Sequence, residues 1–201
     1  MSEATRRVET DFDAERARRL YEEYAYVLDY LPTGRRSPDA HRHIASPTVQ
    51  LVGEDYFTLL EAETRPNTPI EAQEKVNVGK EAREKIERIL GRISYEELTA
   101  TAKAELPVVV EKIVQNNEQR FVDFLNKAPA LTPRMHSLEL LPGIGKKSMW
   151  QIIDQREGKA FSSFKDVQAR TPLNDAVKTI ARRIVEELGE ESKYRLFTRT
   201  A

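Results

Sequence analysis

Residues 138–153 read LELLPGIGKKSMWQII, and the second half of the chain is organised around this stretch. Leu141-Pro142 closes one helical segment, Gly143-Ile144-Gly145 turns the backbone, and Lys146-Lys147 open the next helix. Gly143 and Gly145 let the chain turn tightly and approach a ligand with no Cβ in the way. The amides of Gly145 and its neighbours then stand at a helix N-terminus, where free donors and the helix dipole favour an anion. Two lysines at that end oppose the dipole, a placement that makes sense when a phosphate is the neighbour. Leu138, Leu141, Ile144, Met149, Ile152 and Ile153 supply the apolar faces that hold the two helices together.

Toward the C-terminus, FSSFKDVQART (161–171) leads to a helix in NDAVKTIARRIVEELG (174–189), and SKYRLFTRT (192–200) has strand-like aromatic content, with a return to the sheet as its expected fate. The LPGIGKK spelling resembles the helix–hairpin–helix motif, and residues 161–189 resemble the continuation seen where such motifs pack as a pair. The second hairpin falls near Arg170–Asn174; it lacks paired glycines and is assigned no phosphate contact. The resemblance implies sequence-independent binding of a DNA or RNA backbone through Gly143, Ile144, Gly145, Lys146 and Lys147.

Toward the N-terminus, KEAREKIERILGRI (80–93) places Ala82, Ile86, Ile89, Leu90 and Ile93 at helical spacing. Ser94 with Glu97 makes a capping box for a helix in YEELTATAKAEL (95–106). Pro107 suits the first turn of a third helix to about residue 127, whose stripe is Val109, Ile113, Phe121 and Leu125. Before these lie four strand-like runs, YAYVLDYL (24–31), TVQLVG (48–53), YFTLLEAE (56–63) and EKVNVG (74–79). Pro32-Thr33-Gly34, Glu54-Asp55 and Pro66-Asn67-Thr68-Pro69 punctuate them. Short strands so spaced form a small antiparallel sheet or barrel. Residues 1–23 carry seven acids against five arginines, and these charges are expected to be solvated.

The expected class is therefore α+β. Its parts are a mobile arm (1–22), a β domain (23–80), a helical connector (81–128), a hairpin domain (129–190) and a C-terminal strand or tail (191–201). The 201 residues suffice for one ordinary domain or two small ones. No cysteine is present, which excludes disulfides, thiolate metal sites and cysteine nucleophiles. No apolar run approaches the roughly 20 residues of a membrane helix, the N-terminus is too polar for a signal peptide, and a cytoplasmic protein without membrane contact is expected. Net charge is −1, yet residues 128–183 carry ten bases against five acids, while 48–79 carry six acids against two bases. Such polarity suits local phosphate binding by the C-terminal module.

Taken whole, a β-rich front opening YAYVLDYLPTG, a helical middle, LPGIGKK and a tail ending KYRLFTR resemble the archaeal family of unknown function numbered 655, over roughly residues 22–200. The resemblance implies a small OB-like antiparallel β-barrel followed by helices and a helix–hairpin–helix module, with nucleic-acid binding and no established enzymatic activity. In an OB-like barrel the loop after the first strand often touches nucleic acid. Here it holds Arg35, Arg36, His41, Arg42 and His43, of which Arg35, Arg36 and Arg42 are the candidate phosphate contacts, and Tyr24, Tyr26 and Tyr30 offer stacking faces.

Enzyme readings are weaker. DNA glycosylases also pair an LPG-x-G hairpin with a downstream Asp, and Lys147 and Asp166 are nineteen residues apart. Asp166 however sits in SSFKDVQ, and the chain before the hairpin is β-rich. His41-Arg42-His43 lacks an adjacent carboxylate pair for a cation. No phosphate-binding glycine loop or nucleophile elbow occurs. The expected protein has no catalytic residues, metal or cofactor. Its partner is an RNA or DNA backbone, RNA favoured through translation or ribosome assembly; a protein-interaction scaffold with a structural hairpin is the alternative.

Overall fold

A computed structural model describes residues 21–36, 43–44, 46–80, 83–190 and 192–198. The chain divides after Arg92 into two compact units.

The first unit is built on β1 (Tyr24–Leu31), β4 (Thr48–Gly53), β5 (Leu59–Thr64), β6 (Lys75–Asn77) and β7 (Ile86–Arg92). Between β1 and β4 a two-residue ribbon pairs β2 (Arg35–Arg36) with β3 (His43–Ile44). The main sheet is antiparallel in the order β6-β1-β4-β5-β7, curled into a half-barrel. With the ribbon set aside, β1, β4 and β5 are consecutive and β6 returns beside β1, which is a Greek-key order. Ala25, Val27, Val49, Leu51, Leu60, Ala62, Val76 and Ile86 form its core.

The helix expected over 80–93 is instead the edge strand β7. Its pairings run Thr64↔Ile86, Glu63↔Arg88, Ala62↔Ile89, Glu61↔Gly91 and Leu60↔Arg92, so Glu87 and Leu90 are extra residues in two bulges. Each bulge lengthens the strand repeat from two residues to three. Ile86 and Ile89 thus share the core side of the sheet at a spacing that imitates a helix.

Glu22 corrects the expectation of a solvated N-terminal segment as far as its last residues. Its carboxylate is buried and accepts the amides of Asp55 (2.9 Å), Tyr56 (3.1 Å) and Thr58 (3.0 Å). Burial pushes its pKa up, against the pull of those amides. A Cβ at Gly53 would lie 1.9 Å from the Glu22 Cδ, so a side chain there would have to displace the carboxylate.

The second unit holds α1 (Ala100–Asn116), α2 (Glu118–Lys127), a short hairpin of β8 (Ala130–Thr132) and β9 (Met135–His136), a 3-10 turn (Ser137–Leu140), α3 (Lys146–Gly158), α4 (Phe164–Arg170) and α5 (Ala176–Gly189). Ser94 and Glu97 do bond, Ser94 N to Glu97 Oε2 at 2.7 Å, but they brace a turn. The helix begins later, where the Thr99 hydroxyl accepts the Ala102 amide at 3.0 Å. Pro107 lies inside α1 and does not start a helix. The buried Leu106, Val109, Val110 and Ile113 hold the helix through it, against the lost hydrogen bond that an interior proline imposes. Val109, Ile113, Phe121 and Leu125 are fully buried.

The tail is not a strand. Leu196, Phe197 and Thr198 donate their amides to the Glu187 carboxylate of α5, at 2.7, 3.1 and 3.0 Å. Phe197 packs edge-on against Phe121 and Phe124. A buried carboxylate needs several donors, and this one collects them from the tail. No helix among the described residues is long and apolar enough to cross a membrane.

Candidate nucleic-acid interface

Leu141-Pro142-Gly143-Ile144 forms a β-turn closed by the Ile144 amide on the Leu141 carbonyl at 3.0 Å. Gly143 has φ +82°, the left-handed value that the third position of a type II turn demands, and Pro142 presets the second. The segment before it is the four-residue 3-10 turn, not the α-helix expected to end at Leu141. His136 caps that turn: its Nδ1 accepts the Leu138 amide at 3.1 Å while Glu139 accepts the His136 amide at 2.9 Å. Desolvation, then the nearby Arg156 charge, pulls the His136 pKa down. That keeps the ring neutral and able to accept.

Gly145 is the N-cap of α3, extended at φ −89° and ψ 178°, and caps no amide with a side chain. A Cβ at Gly143 or Gly145 would meet nothing within 4 Å. The fold therefore requires glycine at 143 for its dihedral and does not require it at 145. The amides of Lys146, Lys147 and Ser148 belong to the first turn of α3, where no intrahelical acceptor exists. Three other helices close their starts differently. Thr99 caps α1, Ser163 caps α4 and Asp175 caps α5, each through a side-chain oxygen.

Lys146 and Lys147 are exposed and make no hydrogen bond or ion pair among the described residues. Ile144 is buried, with Leu138, Leu141, Met149, Ile152 and Ile153. It anchors the turn and leaves Gly143 and Gly145 at the surface. The far end of α3 is fixed by arginines. Arg156 donates to the carbonyls of Leu125 (2.9 Å) and Ala128 (3.0 Å), and Arg170 to those of Gln155 and Lys159 (both 2.6 Å).

The second hairpin is closed to anions from within. Asp175 accepts the Lys178 amide at 3.0 Å, placing a carboxylate on the start of α5. Asp166 is likewise engaged, accepting the Ser162 amide and an Arg170 nitrogen, both at 3.0 Å. The Ser162 amide foremost, with Arg170, holds its pKa below the usual range.

In the β unit, Arg35 and Arg36 lie on β2, paired with Ile44 and His43. His41 and Arg42 fall outside the described residues. Tyr26 cannot stack on a ligand, being 3% exposed with its hydroxyl facing Glu54, and Tyr30 packs on the sheet core. Tyr24 is 40% exposed, but the Lys75 ammonium sits 4.4 Å from its ring centroid. No group of three or more metal-ligating side chains occurs among the described residues.

One exposed residue carries no signal in the sequence. Trp150 is 58% exposed, on the α3 face that carries Lys146 and Lys147. Met149, Ile152 and Ile153 mark the buried face, and the helical repeat puts residue 150 roughly 100° round from it, on the solvent-facing flank.

A family model described as "Protein of unknown function (DUF655)" matches residues 21–199. The chain is 48% identical over 182 residues to an uncharacterized protein of Methanocaldococcus jannaschii, covering 89% of this chain and 81% of that one. A crystal structure of a protein from Archaeoglobus fulgidus, assigned to the same family, is similar at a TM-score of 0.80 and 44% identity, covering 89% of this chain and all of that one.

Proposed function

The chain belongs to the DUF655 family, and from that premise we propose that it is a non-catalytic nucleic-acid-binding protein. Its clamp is the hairpin Gly143–Lys147, read as the phosphate-binding element of a helix–hairpin–helix module, and RNA is the favoured ligand. One observation carries the reading: the start of α3 has no side-chain cap, carries two lysines without partners among the described residues, and has a surface glycine at its N-cap that the backbone does not require. Amides and ammonium groups converge there as an anion site requires. The Greek-key order of the β unit supports an OB-like barrel, and Arg35, Arg36 and Arg42 on its first loop supply a second contact with the same nucleic acid. Two weak contacts on one chain gain affinity through effective concentration.

The test is binding of structured RNA, duplex DNA and single strands across a salt series, for the wild type and for Lys146→Ala/Lys147→Ala. The expected result is salt-sensitive binding whose log–log slope drops by about two in the double variant. If no nucleic acid binds near physiological salt, the hairpin is structural and the scaffold reading takes its place.

A further inference from the structure

We propose that Trp150 is a stacking platform for an unpaired nucleobase, so that the α3 surface selects a single-stranded segment over a duplex. This rests on the phosphate-clamp reading of the same helix and names the form of nucleic acid that it takes.

The residue is out of place as packing. Its ring makes no aromatic or cation–π contact, and its indole N–H has no hydrogen-bond partner among the described residues. A large aromatic side chain left in water forgoes the burial that normally keeps it in a protein.

Its position supplies the reason. Trp150 lies four residues beyond Lys146 and three beyond Lys147, so all three share one face of α3. Long side chains on a helix lean toward its N-terminus, which brings the indole over the turn that carries both lysines and the uncapped amides. The rise is about one helical turn, roughly 5.4 Å, a step comparable with the reach from a nucleotide's phosphate to its own base.

The chemistry favours a single strand. Bases in a duplex are stacked on one another and show an aromatic side chain only their edges. A flat indole next to a backbone clamp finds a π-face only on a base that has left its stack, as in RNA loops and single strands. The lysines match the backbone of such a strand by charge, which an apolar protein surface does not.

Trp150 is the only tryptophan of the chain, so intrinsic fluorescence reports on this face directly. The full chain is titrated with end-labelled single-stranded RNA and with an RNA duplex of equal length, following probe anisotropy and tryptophan emission together. Wild type, Trp150→Ala, Trp150→Phe and the double lysine variant are compared. The expected result is quenching of Trp150 by the single strand and not by the duplex. Trp150→Ala then binds the single strand about 5- to 150-fold more weakly, the range of one base–aromatic stack. Trp150→Phe recovers most of that, and duplex binding is unchanged in both. The side chain is exposed, so thermal stability serves as the folding control.

Lysine-dependent binding of the single strand without quenching, or with full affinity in Trp150→Ala, overturns the stacking role and leaves the clamp standing. Absence of binding by either probe removes both. Shielding of Trp150 from acrylamide that grows with protein concentration, without RNA, assigns the face to a contact between copies and overturns the proposal.

Discussion

Gly145→Asp separates a phosphate clamp from a structural hairpin, because the clamp reading gives its effects on stability and on affinity opposite signs while the structural reading predicts a change in stability alone. Gly145 has φ −89° and ψ 178°, which any residue adopts, and its Cβ direction is open for 4 Å. An aspartate fits there without strain and can accept the Ser148 amide, as Asp175 accepts that of Lys178 at 3.0 Å on α5. The cap adds a few tenths of a kcal/mol over glycine, and a negative charge at this end of the dipole adds about 0.3–1 kcal/mol. The sum is about 1 kcal/mol of added stability, visible as a thermal midpoint higher by a few degrees. The same carboxylate occupies the amides a phosphate needs and repels it, removing a charge-assisted hydrogen bond of about 1.5–3 kcal/mol. On the clamp reading, affinity for RNA therefore falls about 10- to 150-fold as the protein becomes more stable. Differential scanning calorimetry and fluorescence anisotropy on one preparation read both. Gly145→Ser supplies the cap without the charge and falls between. Wild-type affinity in a stabilised Gly145→Asp refutes the amide contact, and a lowered midpoint refutes the cap geometry itself.

The same geometry sets three further outcomes. The His136 pKa lies below its ordinary value near 6.5 in the folded chain, through desolvation and then Arg156, so its contribution is complete above pH 6.5. It is lost as pH falls through the folded value, because a protonated Nδ1 cannot accept the Leu138 amide; His136→Asn flattens that part of a pH–stability curve measured by urea unfolding. Glu187→Ala strands Arg183, bonded to it at 2.9 Å, and three tail amides. A loss of about 3–5 kcal/mol is expected in denaturant titration, with early protease cleavage of residues 192–198. Gly143→Ala, at φ +82°, costs about 1–2 kcal/mol in the same titration, whereas at Gly145 no such dihedral penalty arises.

The elements legible in the sequence are those whose periodicity survives intact. TVQLVG occupies 48–53 as a strand, and Leu138, Leu141, Ile144, Met149, Ile152 and Ile153 are all buried. The misread elements share one physical cause, a local signal that tertiary context overrides. Two bulges give β7 the apolar spacing of a helix, and spacing alone cannot reveal a bulge. Ser94 and Glu97 make their reciprocal bond, but the bond also closes a single turn, and Thr99 offers a cap nearer the buried run from Ala102. Pro107 marks a helix start only if nothing downstream and upstream packs as one rod; here Leu106 and Val110 do. Glu22 reads as a surface charge because its partners are backbone amides, and amides leave no trace in composition.

The regional charge excess of residues 128–183 also needs to be divided by what the charges do. Arg156 and Arg170 reach backbone carbonyls near helix ends, and Arg183 joins Glu187 to Ser192 and the Tyr194 carbonyl. A planar guanidinium with five donors suits that task, since it satisfies two acceptors while staying charged. Lys178 pairs with Asp175, and Arg182 with Glu186. What remains for solvent includes Lys146, Lys147 and Lys165, compact ammonium groups without partners among the described residues. Of these, only Lys146 and Lys147 adjoin an uncapped helix start. The sum of charges thus overstates what is left to meet a phosphate, and on the proposed clamp reading the hairpin lysines carry the effective part. On that reading, neutralising Lys165, at the capped start of α4, leaves the salt dependence of binding nearly unchanged, whereas neutralising Lys146 and Lys147 lowers its log–log slope by about two.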